Sequence, residues 1–445
     1  MSFIIACESG KRKIAELLLK NNEVDVTYTD EKGRTALHYT AYRGYLDILK
    51  SLIDAGADID YEDHNGETSL FFACLEKQKQ TALYLLEKGA NPAIKDLQGN
   101  SLLHLTAQTS QVDVLAKLLE TDLAVDNENN KAETPLMVAA YYRNKEVVQL
   151  LIDRGGDLNR ADKNGNTPLI FAIQSKNMQV AELLIAHGAD INHSNHAGET
   201  PLLFACYQNN NMMIKFLVEH GAAIQVASAT GLSPILYACS HNQKEIVSLF
   251  LQHGIDVNYS KELSHNDDSM NSYLDWVESA NNLGTDSQFT LKSNYQLGGE
   301  SLLHVAVKNG HLSMVKLLIE NGASVNIQDE SGNTALHYAA ANGKKDIVKY
   351  LLENKADPAL VNTKEQKAID YANIKGYNEI TELLLTSSPK DAPKAPVATA
   401  AASPAAAGDT VVNKKQALMD LKDLLDMGIL TQEEFDAEKT KILKG

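Results

Sequence analysis

Positive charge is scarce in this sequence. Its 445 residues carry 41 Lys and Arg against 58 Asp and Glu, a formal net charge of −17. That balance argues against nucleic acid and against an anionic membrane surface as general partners, because both attract excess cationic side chains. It is compatible with a basic protein partner, or simply with solubility. Long apolar runs are also missing. None approaches the ~18 residues of a membrane-spanning helix, and no signal peptide opens the chain. A soluble protein made in the cytoplasm, with no membrane insertion, is expected. Tryptophan occurs once, at Trp276, and cysteine four times. No P-loop, G-x-G-x-x-G, H-E-x-x-H or G-x-S-x-G pattern is present. His193 and His196, with Asn195 between them, are the nearest approach to a metal pair. Two imidazoles without Cys or carboxylate support make a poor site. The reading is therefore no enzyme, no metal and no cofactor.

What the sequence does have is repetition. A Thr/Ser-Pro/Ala/Leu-Leu-x-x-Ala signature returns every 33 residues, as TALHYTA from Thr35, TSLFFAC from Thr68, SLLHLTA from Ser101 and TPLMVAA from Thr134. It continues as TPLIFAI from Thr167, TPLLFAC from Thr200 and SPILYAC from Ser233. After a gap come SLLHVAV from Ser301, TALHYAA from Thr334 and a worn copy, KAIDYAN, from Lys367. A fixed period of this length means a solenoid, and solenoids usually bind rather than catalyse. Thr or Ser caps a first helix and Pro suits its first turn. Two small residues allow close packing between neighbours. A second helix with I-V-x-x-L-L spacing follows, ending in Gly at positions such as Gly56, Gly188 and Gly322. A further Gly sits two residues before the Thr/Ser slot, as at Gly165 and Gly332. Asp122 and Lys355 replace the end-of-helix Gly, and Ala132 replaces the turn Gly.

The unit resembles the ankyrin repeat, a turn plus two antiparallel helices. With a first copy at Met1–Asn22, where Asn22 stands in for the terminal Gly, about eleven repeats cover residues 1–386. The fold class is accordingly an all-α solenoid of helix pairs. The resemblance implies a Thr–His hydrogen bond where the His of the TPLH motif survives, at His38, His104, His304 and His337. Phe71, Met137, Ile170, Leu203 and Leu236 hold that slot elsewhere, where apolar packing must replace the bond. Cys7, Cys74, Cys206 and Cys239 share the second small-residue slot and read as substitutes for Ala. His187, His220 and His253 precede a terminal Gly and suit the negative end of a helix dipole.

Two segments break the period. Between Gly254 and Ser301 the chain has 35 residues more than the repeat allows. The extra stretch, residues 259–298, is acidic and contains Tyr273 and Trp276. It reads either as a contact finger or as a degenerate repeat that patches the solenoid. Residues 387–412 are rich in Pro and Ala and form a linker. Residues 413–445 resemble the short C-terminal domain called SHOCT, found mostly in bacterial proteins, through Leu418, Leu421 and Leu425, then Gly428-Ile429-Leu430 and Thr431 to Phe435. Two helices of that size bury too little surface to stand alone. The hairpin should therefore self-associate through Leu418, Leu421, Leu425, Ile429 and Phe435, making a homo-oligomer, or pack back on the solenoid's end.

Ankyrin-like proteins generally bind partners on the concave face, so a protein or peptide partner is expected there. Four residues after the Thr/Ser slot the inner helix presents Tyr39, Phe72, Leu105, Val138, Phe171, Phe204, Tyr237, Val305 and Tyr338. Three further on come Tyr42, Tyr141 and Tyr207. This aromatic stripe is either a contact surface or half-buried bulk between inner helices. The expected partner-binding residues are Tyr39, Tyr42, Phe72, Tyr141, Phe171, Phe204, Tyr207, Tyr237, Trp276 and Tyr338. Exposed turn tips such as His64, Lys163 and Glu330 would add specificity. The reading is a cytoplasmic interaction scaffold clustered by its tail. The alternative, drawn from the acidic, Ile442-Leu443-terminated end and from 35 Lys against 6 Arg, is an effector secreted into a host cell.

Overall fold

The structure, a computed structural model, describes residues 2–21, 24–260, 299–387 and 439. Among them it contains 22 helices and no strand longer than an isolated bridge. The unit Met1–Ser388 is a run of helix pairs. A representative pair is an inner helix Pro168–Gln174 and an outer helix Met178–Ala186. Thr167 is the extended residue before the first, and Asn177 accepts from the Val180 N–H at the start of the second. The two helices pack on each other, and the rest of each apolar stripe is covered by neighbouring repeats. Inner helix packs on inner helix along the whole array and on its own outer helix, while outer helices meet each other more lightly, so the core is continuous.

The small-residue slots carry the closest part of that packing. Ala73, Cys74, Ala205, Cys206, Ala238 and Cys239 are all fully buried. Burial pushes the thiols of Cys7, Cys74 and Cys239 up to about 12 and raises Cys206 as well. All four are therefore inert packing groups at neutral pH.

The turns that join repeats are built on a residue whose role was not evident from the periodicity. Asp30, Asp63, Asp96, Asn129, Asp162, Asn195, Asp329 and Asn362 each accept from the N–H groups two and four residues on. Most turn tips also donate to the preceding one, as in His196 N–H to the Asn164 carbonyl at 2.9 Å. The left-handed residue between inner and outer helix is Gly at Gly44 and Gly343. Lys77, Arg143, Lys176, Asn209 and Asn242 adopt the same sign of φ at that slot.

The departures from the repeat resolve differently. Lys355 and Ala132 take the left-handed backbone of the Gly they replace, with φ of 67° and 60°. Asp122 does not. The outer helix there, Val112–Leu118, is short, and the Thr121 N–H closes on the Leu118 carbonyl at 3.1 Å. Asn22 lies outside the described residues.

The repeats on either side of the long interruption are direct neighbours. The Cys239 thiol donates to the Leu302 carbonyl at 3.2 Å and His311 Nε2 bonds the Ser240 carbonyl at 2.8 Å. The Ser324 N–H donates to Asn258 Oδ1 at 2.8 Å, just as Asp190 N–H donates to Asn159 in uninterrupted repeats. Helix pairs 234–252 and 302–320 are thus adjacent in the stack. Tyr273 and Trp276 lie outside the described residues.

Four buried histidines tie the array together. His38 Nδ1 accepts from the Thr35 N–H at 3.0 Å, which fixes the hydrogen on Nε2, and Nε2 donates to the Glu67 carbonyl of the next repeat at 3.1 Å. His104, His304 and His337 repeat the arrangement with the carbonyls of Glu133, Asn333 and Gln366. Burial lowers the pKa of all four below the ordinary 6.5.

Two predictions follow from this packing and bonding. The unfolded chain binds protons on these imidazoles before the folded chain does. Stability should thus be full above about pH 6.5 and fall as pH drops toward the lowered folded values. Urea midpoints at pH 7.5 and 5.0 check this, and a flat profile contradicts it. Gly165 and Gly188 both have positive φ, 82° and 96°, but a Cβ on Gly165 would lie 2.7 Å from the His196 nitrogen, whereas one on Gly188 meets nothing within 4 Å. Gly188→Ala should cost about 1 kcal/mol from backbone strain. Gly165→Ala should cost about 1–3 kcal/mol more from overpacking. Equal urea midpoints for the two variants would rule out the close approach as the cause.

Candidate partner-binding groove

Inner helices and turn tips line one face of the array, and this is where the aromatic stripe sits. The stripe divides by burial. Tyr39 and Phe72 are only 6% and 3% exposed. Their rings pack between inner helices and leave little surface for a partner. The hydroxyls of Tyr39 and Tyr338 donate to Asp30 and Asp329, the turn residues of their own repeats. In these two repeats Tyr is a clamp between turn and helix. Its phenol is pushed above its usual value by burial, then by the carboxylate it bonds.

Phe171, Phe204, Tyr237, Tyr338, Tyr42 and Tyr207 are half-buried. Tyr141 and its neighbour Tyr142 are the most open, 47% and 48% exposed. The stripe is knitted across repeats edge to face: Tyr42 on Phe72 and Tyr141 on Phe171, each at 6.3 Å between centroids, and Tyr207 on Tyr237 at 4.8 Å. Tyr237 in turn stacks on His241 at 4.0 Å. Each such pair joins the later slot of one repeat to the earlier slot of the next. The middle of the array thus carries a wall of partly exposed rings running through Tyr141, Tyr142, Phe171, Phe204, Tyr207 and Tyr237.

Two concavities lie along this face. One, of about 220 Å³, is lined by Glu8, Arg34, His38, Tyr39, Tyr42, Arg43 and Phe72. The Arg34 guanidinium lies 4.5 Å from the centre of the Phe72 ring, donates to Asp63 at 2.9 Å and reaches Glu67 at 3.4 Å. The second, of about 500 Å³, is lined by Asn164, Asn166, Gln174, Asn195, His196, Ala197, Glu199 and Phe204. Here Asn195 Nδ2 donates to Asn166 Oδ1 at 3.1 Å and to Glu199 Oε2 at 3.0 Å. The Tyr207 hydroxyl donates to Glu199 Oε1 at 3.2 Å, and its pKa is pushed up to about 12 by burial and then by that carboxylate. These amide and carboxylate partners were missed in the sequence, where attention fell on aromatic residues. Their signal was there, in Asn and Glu alternating at the position before the Thr/Ser slot.

Among the described residues there is no group of three or more His, Cys, Asp or Glu placed to hold a metal. His193 Nε2 bonds the Gly165 carbonyl at 3.0 Å and serves the turn. No described helix is long and apolar enough to cross a membrane. The oligomerisation residues Leu418, Leu421, Leu425, Ile429 and Phe435 lie outside the described residues.

Comparison with known proteins fits this architecture. A family model described as ankyrin repeats (3 copies) matches residues 3–96, 103–195, 187–261, 281–362 and 303–395. A second, the short C-terminal domain SHOCT, matches residues 416–443. No curated protein matches the chain.

The split in burial predicts a split in stability effects. Tyr39→Ala should cost about 3–5 kcal/mol, as expected for removing a buried aromatic ring. Tyr141→Ala should stay within about 1 kcal/mol. Chemical denaturation of both variants checks it, and comparable losses would contradict the division into packing and surface rings.

Proposed function

Because the chain belongs to the ankyrin-repeat family, whose repeats are generally protein–protein interaction modules, we propose that it is a non-enzymatic scaffold. Its groove holds a protein or peptide partner along the mid-array wall of Tyr141, Tyr142, Phe171, Phe204, Tyr207 and Tyr237. One observation carries the reading: Tyr141 and Tyr142 leave about half their surface open beside rings already ordered by their neighbours. Large, rigid rings with polar tips favour interfaces, because binding them costs little rotamer entropy. The SHOCT match at 416–443 supports self-association through the tail, since two short helices gain stability from a partner surface. Copies joined in this way would bind a repeated partner multivalently.

The test compares the intact chain with a Tyr141→Ala, Tyr142→Ala, Tyr207→Ala variant in affinity capture from the producing cell. Prey lost with the variant, at unchanged thermal stability, supports the groove. Prey retained by the variant refutes it. Truncation after Ser388 should convert oligomers to monomers in sedimentation, and a full-length monomer at micromolar concentration would end the clustering half.

A further inference from the structure

The two concavities share equivalent positions 132 residues apart, four periods of 33: Arg34, Tyr42 and Phe72 line the first, and Asn166, Gln174 and Phe204 the second. Arg34 corresponds to Asn166, Asp63 to Asn195, Glu67 to Glu199 and Phe72 to Phe204. In the first, the chain fills the place with its own cation. Arg34 lies over Phe72 and binds Asp63 and Glu67. In the second, the ring and the outer carboxylate remain, but the arginine has become an asparagine too short to reach them.

Glu199 is held ready rather than neutralised. Asn195 donates to one of its oxygens and the Tyr207 hydroxyl to the other. Among the described residues no Lys or Arg forms an ion pair with it, whereas Glu67 and Glu300 at the same repeat position pair with Arg34 and Lys308. No other pair of adjacent described repeats combines a carboxylate before the Thr/Ser slot, an aromatic ring in the fourth position after it and a neutral short side chain in place of Arg34.

We infer that the Asn166–Glu199–Phe204 pocket receives an arginine side chain of the partner, in the position that Arg34 occupies within the chain. The guanidinium stacks on Phe204 and donates to Glu199, with the Asn166 and Gln174 amide oxygens as further acceptors. Asn195 replaces the aspartate of the first site, so one carboxylate meets one cation and the pair is charge-balanced. A chain of net charge −17 draws a basic segment toward the groove. The inference rests on the groove reading above and gives it a partner chemistry.

Blocked heptapeptide pools with a fixed central Arg, Lys, Gln or Glu and degenerate flanks provide the probe, read by fluorescence anisotropy on the full chain. The Arg pool should bind about tenfold more tightly than the Gln pool, the worth of one desolvated cation–π and carboxylate contact. Glu199→Gln should reduce the Arg pool to the level of the Gln pool. Asn166→Arg should do the same while raising the melting temperature, because the new guanidinium fills the pocket as Arg34 does. That rise separates a filled site from a damaged fold. Glu133→Gln, two repeats away at the same position, should change nothing.

An Arg pool no tighter than the Gln pool overturns the inference, as does Arg binding indifferent to Glu199→Gln and Asn166→Arg. A Lys pool equal to the Arg pool overturns the guanidinium assignment. If all pools bind alike and lose affinity with Tyr141→Ala and Tyr207→Ala, the arginine pocket fails while the groove reading stands. If no pool binds, the arginine pocket fails and the groove is judged by the capture experiment alone.

Discussion

Each repeat of this chain can fully bury its apolar faces only against another repeat, and everything else follows from that dependence. A helix pair such as Pro168–Gln174 and Met178–Ala186 covers only part of its apolar stripes within itself and leaves the rest to its neighbours. The small slots at Ala205-Cys206 and Ala238-Cys239 set how close the inner helices come. Tip-to-tip bonds such as His196 N–H to the Asn164 carbonyl set the register of the turns. With distance and register both fixed, residues one period apart occupy equivalent places. That equivalence allows Arg34 and its partners to be superimposed on Asn166, Glu199 and Phe204. It also explains how 35 additional residues are tolerated between Gly254 and Ser301. The contacts of Cys239 with Leu302 and of Asn258 with Ser324 are those of ordinary neighbours.

A rigid register turns sequence variation into surface chemistry. The turn Asp or Asn accepts the same two backbone donors in repeat after repeat, leaving the residue before the Thr/Ser slot free to vary. There the chain places Arg34, Glu67, Asn100, Glu133, Asn166 and Glu199 in succession. Where an asparagine occupies that position and the next turn also has one, the two amides bond across the repeats, as Asn129 does with Asn100 and Asn195 with Asn166. Where the pair is Arg34 and Asp63, an ion pair forms instead, with the carboxylate side chain only 1% exposed. The turns are thus held together by matched residues 29 positions apart.

How far the sequence could be read depended on whether the controlling contact was periodic. Helix pairs, Thr/Ser caps, small slots and the histidine bridges recur at one spacing and were legible. The structure bears out the expected bond between Thr35 and His38 and adds the reach of Nε2 to Glu67. Side-chain burial in the aromatic stripe was not legible, because it depends on the residue in the neighbouring repeat. Tyr39 and Phe72 share a slot with Tyr237, yet Arg34 covers Phe72 while Tyr237 remains half open. Asp122 departs from the Gly that ends outer helices, and there the helix ends early, at Leu118, without a positive φ at Asp122. Lys355 makes the same departure and takes the left-handed backbone.

The histidine bridges are distributed unevenly, and their absence coincides with the groove. His38 and His104 lie before the aromatic wall, His304 and His337 after it. Between them Met137, Ile170, Leu203 and Leu236 fill the slot as buried apolar residues. A protonated imidazole at His104 would turn a second N–H toward the Ser101 N–H that Nδ1 now accepts. Acidification therefore loosens the bond between a histidine repeat and its successor. In a solenoid, where stability is close to a sum of nearest-neighbour terms, such loss stays local. The repeats bearing Tyr141, Phe204 and Tyr207 adhere through packing that carries no titrating imidazole in this slot. The acid sensitivity that these imidazoles confer is thereby confined to the flanks, and the stacking that shapes the groove does not depend on the protonation of that slot.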